Sequence, residues 1–156
     1  MINPDLVWGN KELLYRTKTA FLSSHAIPPE KVSAVGRWAD TLSPDNDCIM
    51  CGNIQRIESE LLQKLIYRHI PIIVVFGIAM PQTWTTEFLR AADAKCLAMV
   101  CSASPTQNSH FIDKADDARR RNMYMIANAD NIVVGYARPC GKLSQQLCGL
   151  SNVRYL

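Results

Sequence analysis

The apolar run at residues 71–76 reads PIIVVF and is the clearest strand of this sequence. The run is continuously apolar and rich in β-branched residues, which is typical of strands in a parallel sheet that is buried on both faces. Four further runs share these properties. The sequence therefore predicts five buried strands: Thr19–Ser23 (TAFLS), Cys48–Cys51 (CIMC), Pro71–Phe76 (PIIVVF), Cys96–Cys101 (CLAMVC) and Asn131–Gly135 (NIVVG).

Helical patterns separate these runs. The first helix opens with Pro-Pro-Glu and then repeats apolar residues at helical spacing. The predicted helices are Pro28–Leu42, Ile54–Arg68, Thr83–Ala92, Lys114–Ala129 and Gly141–Leu150. The alternation predicts an α/β fold with a doubly wound, mostly parallel five-stranded sheet and helices on both faces. Residues 1–16 are predicted as an N-terminal extension that packs on the domain or on a partner, and residues 17–156 as a single domain.

Composition and charge narrow the class of protein. The chain has 156 residues, with 17 Lys and Arg against 14 Asp and Glu and a net charge of +3. This excess is too small for coating DNA without specificity, so any nucleic-acid binding requires a local cluster of basic residues. No apolar run approaches the roughly 20 residues that span a bilayer, and the N-terminus lacks a signal-peptide pattern. The sequence thus predicts a cytoplasmic protein without a membrane partner.

The six cysteines are predicted to be reduced thiols, as is usual in the cytosol. Cys48 and Cys51 have C-x-x-C spacing, which leaves a redox pair or a zinc pair as the alternative. There is no second C-x-x-C, and the three histidines are scattered along the chain. Buried strand cysteines are therefore the preferred interpretation, and neither a metal nor a cofactor is predicted.

The ligand site is predicted from the topology, because parallel α/β sheets bind ligands at the carboxyl ends of their strands. The sequence contains neither G-x-G-x-x-G nor a P-loop, so neither of these phosphate motifs applies. A Ser24–His25 hydrolase is a minor alternative that lacks an evident orienting acid. The residues that follow the first, second and fifth strands are predicted to bind phosphate or another part of the ligand: Ser23, Ser24, His25, Gly52, Asn53, Gly141 and Lys142.

The fourth predicted helix contains the sequence RRRN at residues 119–122. Successive helical residues point about 100° apart, so the three arginines cannot share one target. The apolar spacing predicts that Asn122 faces inward with buried hydrogen bonds, that Arg121 flanks it, and that Arg120 points to solvent. Two interpretations stay open: a solvated basic face with one satisfied Asn, or a site in which Arg121 and Asn122 bind phosphate or hold the ligand loops.

Glu58 is a carboxylate inside the apolar stripe of the second helix. Near a helix N-terminus it stabilises the helix through the dipole, which is the simpler interpretation. The alternative is that Glu58 faces the cleft, where it accepts a hydrogen bond from a ribose hydroxyl or pairs with Arg121.

Four short segments in this order resemble motifs of the Rossmann-like domain of the DNA-processing protein A (Smf) family. Ser24-His25 stands where that family has a small residue and Arg. Cys51–Glu58 (CGNIQRIE) resembles S-G-x-A-x-G-I-D, Arg121–Met123 (RNM) resembles R-N-R, and Cys140–Leu143 (CGKL) resembles S-G-S-L. The family belongs to a wider superfamily with the lysine decarboxylase-like and cytokinin-activating nucleotide-binding proteins.

The resemblance implies a Rossmann-like fold that binds a nucleotide or the phosphates of single-stranded DNA, without catalysis, and a role in DNA recombination or uptake. The resemblance also leaves open that the protein forms a homodimer. One alternative is an enzyme of the superfamily's phosphoribohydrolase branch, whose P-G-G-x-G-T-x-x-E motif corresponds to PCGKLSQQL at residues 139–147, where the catalytic Glu is missing. The other alternative is a degenerate scaffold that mainly dimerises.

Overall fold

The computed structural model describes residues 7–77, 83–102 and 114–156. None of the helices in these ranges is long and apolar enough to cross a membrane. The elements along the chain are β1 (Val7–Gly9), a 3₁₀ helix (Lys11–Tyr15), β2 (Thr19–Leu22), α1 (Pro29–Asp40), β3 (Ile49–Cys51), α2 (Arg56–Tyr67), β4 (Ile72–Phe76), α3 (Thr86–Asp93), β5 (Leu97–Cys101), α4 (Lys114–Asn128), β6 (Asn131–Val134), α5 (Lys142–Leu147) and β7 (Val153–Tyr155).

The described strands form one sheet in the order β1-β5-β4-β3-β2-β6-β7. Strands β2 to β6 pair in parallel and correspond to the five strands predicted from the sequence, which confirms the fold class. The predicted strand count was wrong, because the sheet has seven strands. β1 pairs antiparallel with β5, and β7 pairs in parallel with β6. Both are three-residue edge strands with exposed side chains, so neither has the continuous apolar run that identifies a central strand.

Helices cover both faces of the sheet. Apolar residues of α1, α2 and α3 pack on one face, and apolar residues of the 3₁₀ helix, α4 and α5 pack on the other. Leu13 and Leu14 of the 3₁₀ helix are buried, and β1 joins the sheet, so residues 7–15 of the predicted extension pack on the domain. Whether residues 1–16 are a separate unit stays a prediction.

The strand order opens a crevice where β2 and β6 lie side by side in the sheet. From β2 to β5 the chain adds strands in one direction, and after α4 it returns to place β6 on the other side of β2. The loops that leave β2 and β6 at their carboxyl ends therefore diverge to opposite sides. Such a switch point is where doubly wound sheets open a binding crevice.

Candidate functional site

A cavity of about 970 Å³ opens at the carboxyl ends of β2 and β6. It lies where the diverging loops leave the sheet, and α4 and α5 close one side. Seven of the ten predicted site residues line it: Ser23, Ser24, His25, Arg121, Asn122, Gly141 and Lys142. Several other lining residues were not predicted from the sequence, among them Gln55, Tyr136 and Arg138. The topology thus brings together residues that are up to 119 positions apart in the chain.

Hydrogen bonds join the two loops that form the floor of the cavity. The Ser24 backbone N–H donates to the Tyr136 carbonyl at 2.7 Å, and the Arg138 backbone N–H donates to Ser24 Oγ at 3.0 Å. The Gln55 side chain donates to the Ser23 carbonyl at 3.0 Å. The Ser24 backbone N–H and Oγ were expected to face phosphate, and they join the two loops instead. Only His25 of this segment presents an exposed side chain.

Arg121 is the charged residue that α4 directs inward, with only 3% of its surface exposed. Met125, one turn later on the same face, is fully buried against the sheet. Arg121 Nε and Nη1 are buried and have no hydrogen-bond partner among the described residues. A buried guanidinium without partners is costly, since buried polar groups are normally paired. An anion in the cavity would provide the missing acceptor.

The predicted orientation of Asn122 was wrong by one position on the helix. Asn122 is partly buried and donates to Gln146 Oε1 at 3.3 Å, whereas Arg121 takes the inward position. Arg120 is also partly buried and makes an interaction, so it does not simply point to solvent. The predicted inward stripe included Ala118, Asn122 and Met125, whereas the buried positions are Arg121 and Met125, which lie four residues apart.

Gly52 and Glu58 lie beside Arg121, below the lining of the cavity. A Cβ placed on Gly52 would stand 2.6 Å from Glu58 Oε2 and 3.1 Å from Arg121 Nε. Glu58 is 4% exposed, and its Oε1 accepts hydrogen bonds from the Ile54 and Gln55 backbone N–H groups at 3.1 and 2.9 Å. This capping box stabilises the start of α2 and fixes the carboxylate. The missing side chain of Gly52 leaves the space that Arg121 occupies.

Asn53 does not line the cavity. Its Oδ1 accepts a hydrogen bond from Ser59 Oγ at 2.9 Å, which orders the loop before α2. On the opposite side, the turn before α5 contains Cys140 with a positive φ of 58°, an uncommon conformation for a residue other than glycine. Gly141 and the exposed Lys142 follow on the rim of the cavity.

Asp117 is a site residue that the sequence analysis missed. Burial raises the pKa of its carboxyl above the ordinary value, and Arg121 partly opposes this rise. Asp117 Oδ1 is buried without a hydrogen-bond partner among the described residues, and a Cβ on Gly77 would overlap this carboxylate. The signal in the sequence was the spacing, because Asp117 precedes Arg121 by one helical turn and therefore shares its face.

Cys48 and Cys51 lie on opposite faces of the sheet. Cys48 packs with the residues of α4 and α5, and Cys51 packs with those of α1 and α2. Burial raises the pKa of Cys48 to about 11 and that of Cys51 also well above its ordinary value. Within the described ranges, no group of three His, Cys, Asp or Glu residues could hold a metal ion. The two thiols cannot act as a pair in this fold.

The thiols predict a clear order of reactivity. A thiol reagent attacks the thiolate, and a raised pKa keeps Cys48 and Cys51 protonated at about pH 8. We expect the exposed Cys140 and Cys148 to react first, and Cys48 and Cys51 only after unfolding. Mass spectrometry after timed labelling, with and without denaturant, measures this order. Rapid labelling of Cys48 in the folded protein would contradict the buried position.

Comparison with known proteins identifies the fold. No family model matches the sequence, and no curated protein matches it. DNA processing protein A from Helicobacter pylori, whose structure concerns its binding of single-stranded DNA, has a TM-score of 0.58 and 14% sequence identity. The match covers 82% of this chain and 58% of that protein, so this chain spans less than two thirds of its length.

The fold is Rossmann-like. At this level the resemblance to DNA-processing protein A found in the sequence is supported, while membership of the family is not shown. The Moco carrier protein from Chlamydomonas reinhardtii has a TM-score of 0.49 and 10% identity, over 90% of this chain and 88% of that protein. At 14% identity, the likeness to the Helicobacter pylori protein shows the fold and does not show a ligand.

Proposed function

We propose that this domain binds a nucleotide unit through its phosphate, as a free nucleotide or within single-stranded DNA. The observation that carries the proposal is Arg121, a buried guanidinium that borders the cavity and whose Nε and Nη1 have no hydrogen-bond partner in the described part of the chain. A guanidinium matches the planar, paired acceptors of phosphate, and it stays charged at any physiological pH.

The size of the cavity supports a nucleotide. Its volume of about 970 Å³ is in the range of small-molecule and cofactor sites, which is roughly 300–1,000 Å³. The floor at the carboxyl end of the sheet is where doubly wound folds bind nucleotides. A single phosphate on Arg121 leaves room for a sugar and a base between the loops after β2 and β6.

The charges on the rim support a strand that continues beyond the cavity. Arg119, Arg138 and Lys142 line the opening with exposed cationic side chains. Such cations attract neighbouring phosphates in a way that depends on salt and not on sequence. The fold likeness to a protein that binds single-stranded DNA adds weight to this form of the ligand.

Two titrations test the proposal. Binding of AMP is measured by calorimetry, and binding of fluorescein-labelled oligo(dT) by anisotropy at several salt concentrations. If DNA is the ligand, affinity falls with salt with a slope of about −0.7 for each phosphate that is contacted. If AMP binds and oligo(dT) does not, the ligand is a free nucleotide. Absence of binding for both at low salt would refute the phosphate site.

The same samples test for catalysis. AMP incubated with the protein is analysed by chromatography for free adenine, which a phosphoribohydrolase would release. We expect none, because Glu58 Oε1 already accepts two backbone hydrogen bonds in the capping box and the motif at residues 139–147 lacks its Glu. Adenine release that is lost in Arg121→Met would instead show an enzyme. We place either activity in the cytoplasm, where free thiols like the six of this chain stay reduced.

A further inference from the structure

Arg121, which is buried, and Asp117, which is half-buried, are opposite charges on α4 that do not neutralise each other by contact. They are one turn apart on the same face of α4. Asp117 Oδ1 has no hydrogen-bond partner, and neither have Arg121 Nε and Nη1, among the residues that the structure describes. An ordinary structural ion pair would join these atoms. Because no hydrogen bond joins these atoms, contacts with other parts of the chain must set the positions of the two side chains.

Two glycines at the ends of adjacent strands hold the pair. Asp117 lies against Gly77, which follows β4, and Arg121 lies against Gly52, which follows β3. A Cβ on Gly77 would overlap the Asp117 carboxylate, and a Cβ on Gly52 would stand a tight 3.1 Å from Arg121 Nε. The two charges are therefore seated on the backbone, side by side across the carboxyl ends of β3 and β4.

The other charged group at this position is also a carboxylate. Glu58 reaches the same space from α2 and meets Arg121 beside Gly52. In the described part of the chain, the remaining titratable neighbours are the thiols of Cys51, from β3, and Cys101, from β5 beside Gly77. One guanidinium thus stands between two carboxylates. When both carboxylates are ionised, the local charge is already negative and opposes the approach of an anion.

We propose that Asp117 takes up a proton when an anion binds to Arg121, an inference that rests on the proposed phosphate site. Protonation removes one of the two carboxylate charges, so that Arg121 can neutralise the ligand. Glu58 is less suited to this role because its Oε1 already accepts two backbone hydrogen bonds in the capping box. Burial raises the pKa of the Asp117 carboxyl, which also favours its protonation. Affinity for phosphate-bearing ligands then rises as the pH falls.

Calorimetry in two buffers of different ionisation enthalpy counts the protons taken up on binding. The ligands are oligo(dT), whose phosphodiesters keep their charge between about pH 5 and 8, and AMP at about pH 7.5, where its phosphate is already mostly dianionic. We expect proton uptake by the wild type and almost none by Asp117→Asn. That variant should also bind at least about tenfold more tightly than the wild type at pH 8.

Two control variants separate Asp117 from its neighbours. Asp116→Asn removes an exposed carboxylate next to Asp117 on the same helix, and it should keep the proton uptake. His25→Gln removes an exposed imidazole that lines the cavity, and it should keep most of the uptake. Circular dichroism confirms that each variant is folded.

The outcomes distinguish this inference from the proposed function. Binding without proton uptake, or with uptake that Asp117→Asn leaves unchanged, would overturn the role of Asp117 and leave the phosphate site standing. Weaker binding by Asp117→Asn would also overturn it, because the carboxylate would then contact the ligand directly. If neither ligand binds, the phosphate site fails and the inference fails with it.

Discussion

Arg121→Met is expected to abolish ligand binding and to leave the domain folded. The substitution keeps an apolar stem of similar length and removes the guanidinium that would contact phosphate. Truncating one partner of a buried charge pair costs about 2–5 kcal/mol, so the affinity should fall by a factor of about 30 or more. Anisotropy with oligo(dT) and calorimetry with AMP measure this loss.

The unliganded domain should stay folded in Arg121→Met, with a moderate loss of stability. Among the described residues, Arg121 Nε and Nη1 make no hydrogen bond, so their removal leaves no protein donor or acceptor newly unpaired. The buried Glu58 carboxylate loses the attraction of the guanidinium, while the burial cost of the guanidinium itself disappears, so we expect the free energy of unfolding to fall by about 1–2 kcal/mol. Urea unfolding measures this change. A loss of about 3 kcal/mol or more, as for a broken buried ion pair, would make Arg121 a structural residue.

The matched control is Arg90→Met in α3. Arg90 is exposed and does not line the cavity, so this variant removes the same charge from a surface position. It should bind both ligands like the wild type, apart from a small change through net charge. An equal loss of binding in Arg90→Met would show that overall charge, and not the buried site, holds the ligand.

Gly52→Ala is expected to weaken ligand binding, because the new methyl group crowds the side chains of Glu58 and Arg121 beneath the cavity. The new Cβ would stand 2.6 Å from Glu58 Oε2, which is closer than real Cβ contacts allow, and a tight 3.1 Å from Arg121 Nε and 3.2 Å from Arg121 Cδ. The Glu58 carboxylate, which accepts two backbone hydrogen bonds, therefore has to shift, and Arg121 has to give way by a few tenths of an ångström. We expect at least tenfold weaker binding and a loss of about 1–3 kcal/mol in stability, as for other overpacked positions.

Gly36→Ala is the matched control for Gly52→Ala. Gly36 lies inside α1, and a Cβ there would meet nothing within 4 Å. Alanine should therefore stabilise the helix by about 0.5–1 kcal/mol and leave binding unchanged. If Gly52→Ala resembles Gly36→Ala in both urea unfolding and ligand titration, the close packing around Gly52 has no role in the site.

The five central strands could be predicted because each is buried on both faces and has to be apolar along its whole length. β1 and β7 could not, since edge strands gain their stability from backbone pairing and carry few buried side chains. Val7–Gly9 and Val153–Tyr155 become strands only because β5 and β6 offer them an unpaired edge.

The candidate site shows the same division. Topology placed most of the predicted residues around one cavity, because parallel strands bring the ends of distant segments together. The exact face of α4 was misjudged, since a charged residue at an inward position does not extend an apolar pattern. Asp117 escaped notice, and the role of Gly77 beside it could not be predicted, because both depend on a contact between two segments that lie 40 residues apart in the sequence.

The α/β alternation and the central parallel strands follow from the sequence, as does the sheet edge at which a ligand is proposed to bind, because hydrophobic periodicity and the direction of the strands are local properties of the chain. Which charges are buried, and which of them are paired, is a property of the folded chain. Burial and pairing depend on the side chains that neighbouring elements bring, and here Gly52 and Gly77 leave the space in which Arg121 Nε and Nη1 and Asp117 Oδ1 lie without a hydrogen-bond partner among the described residues.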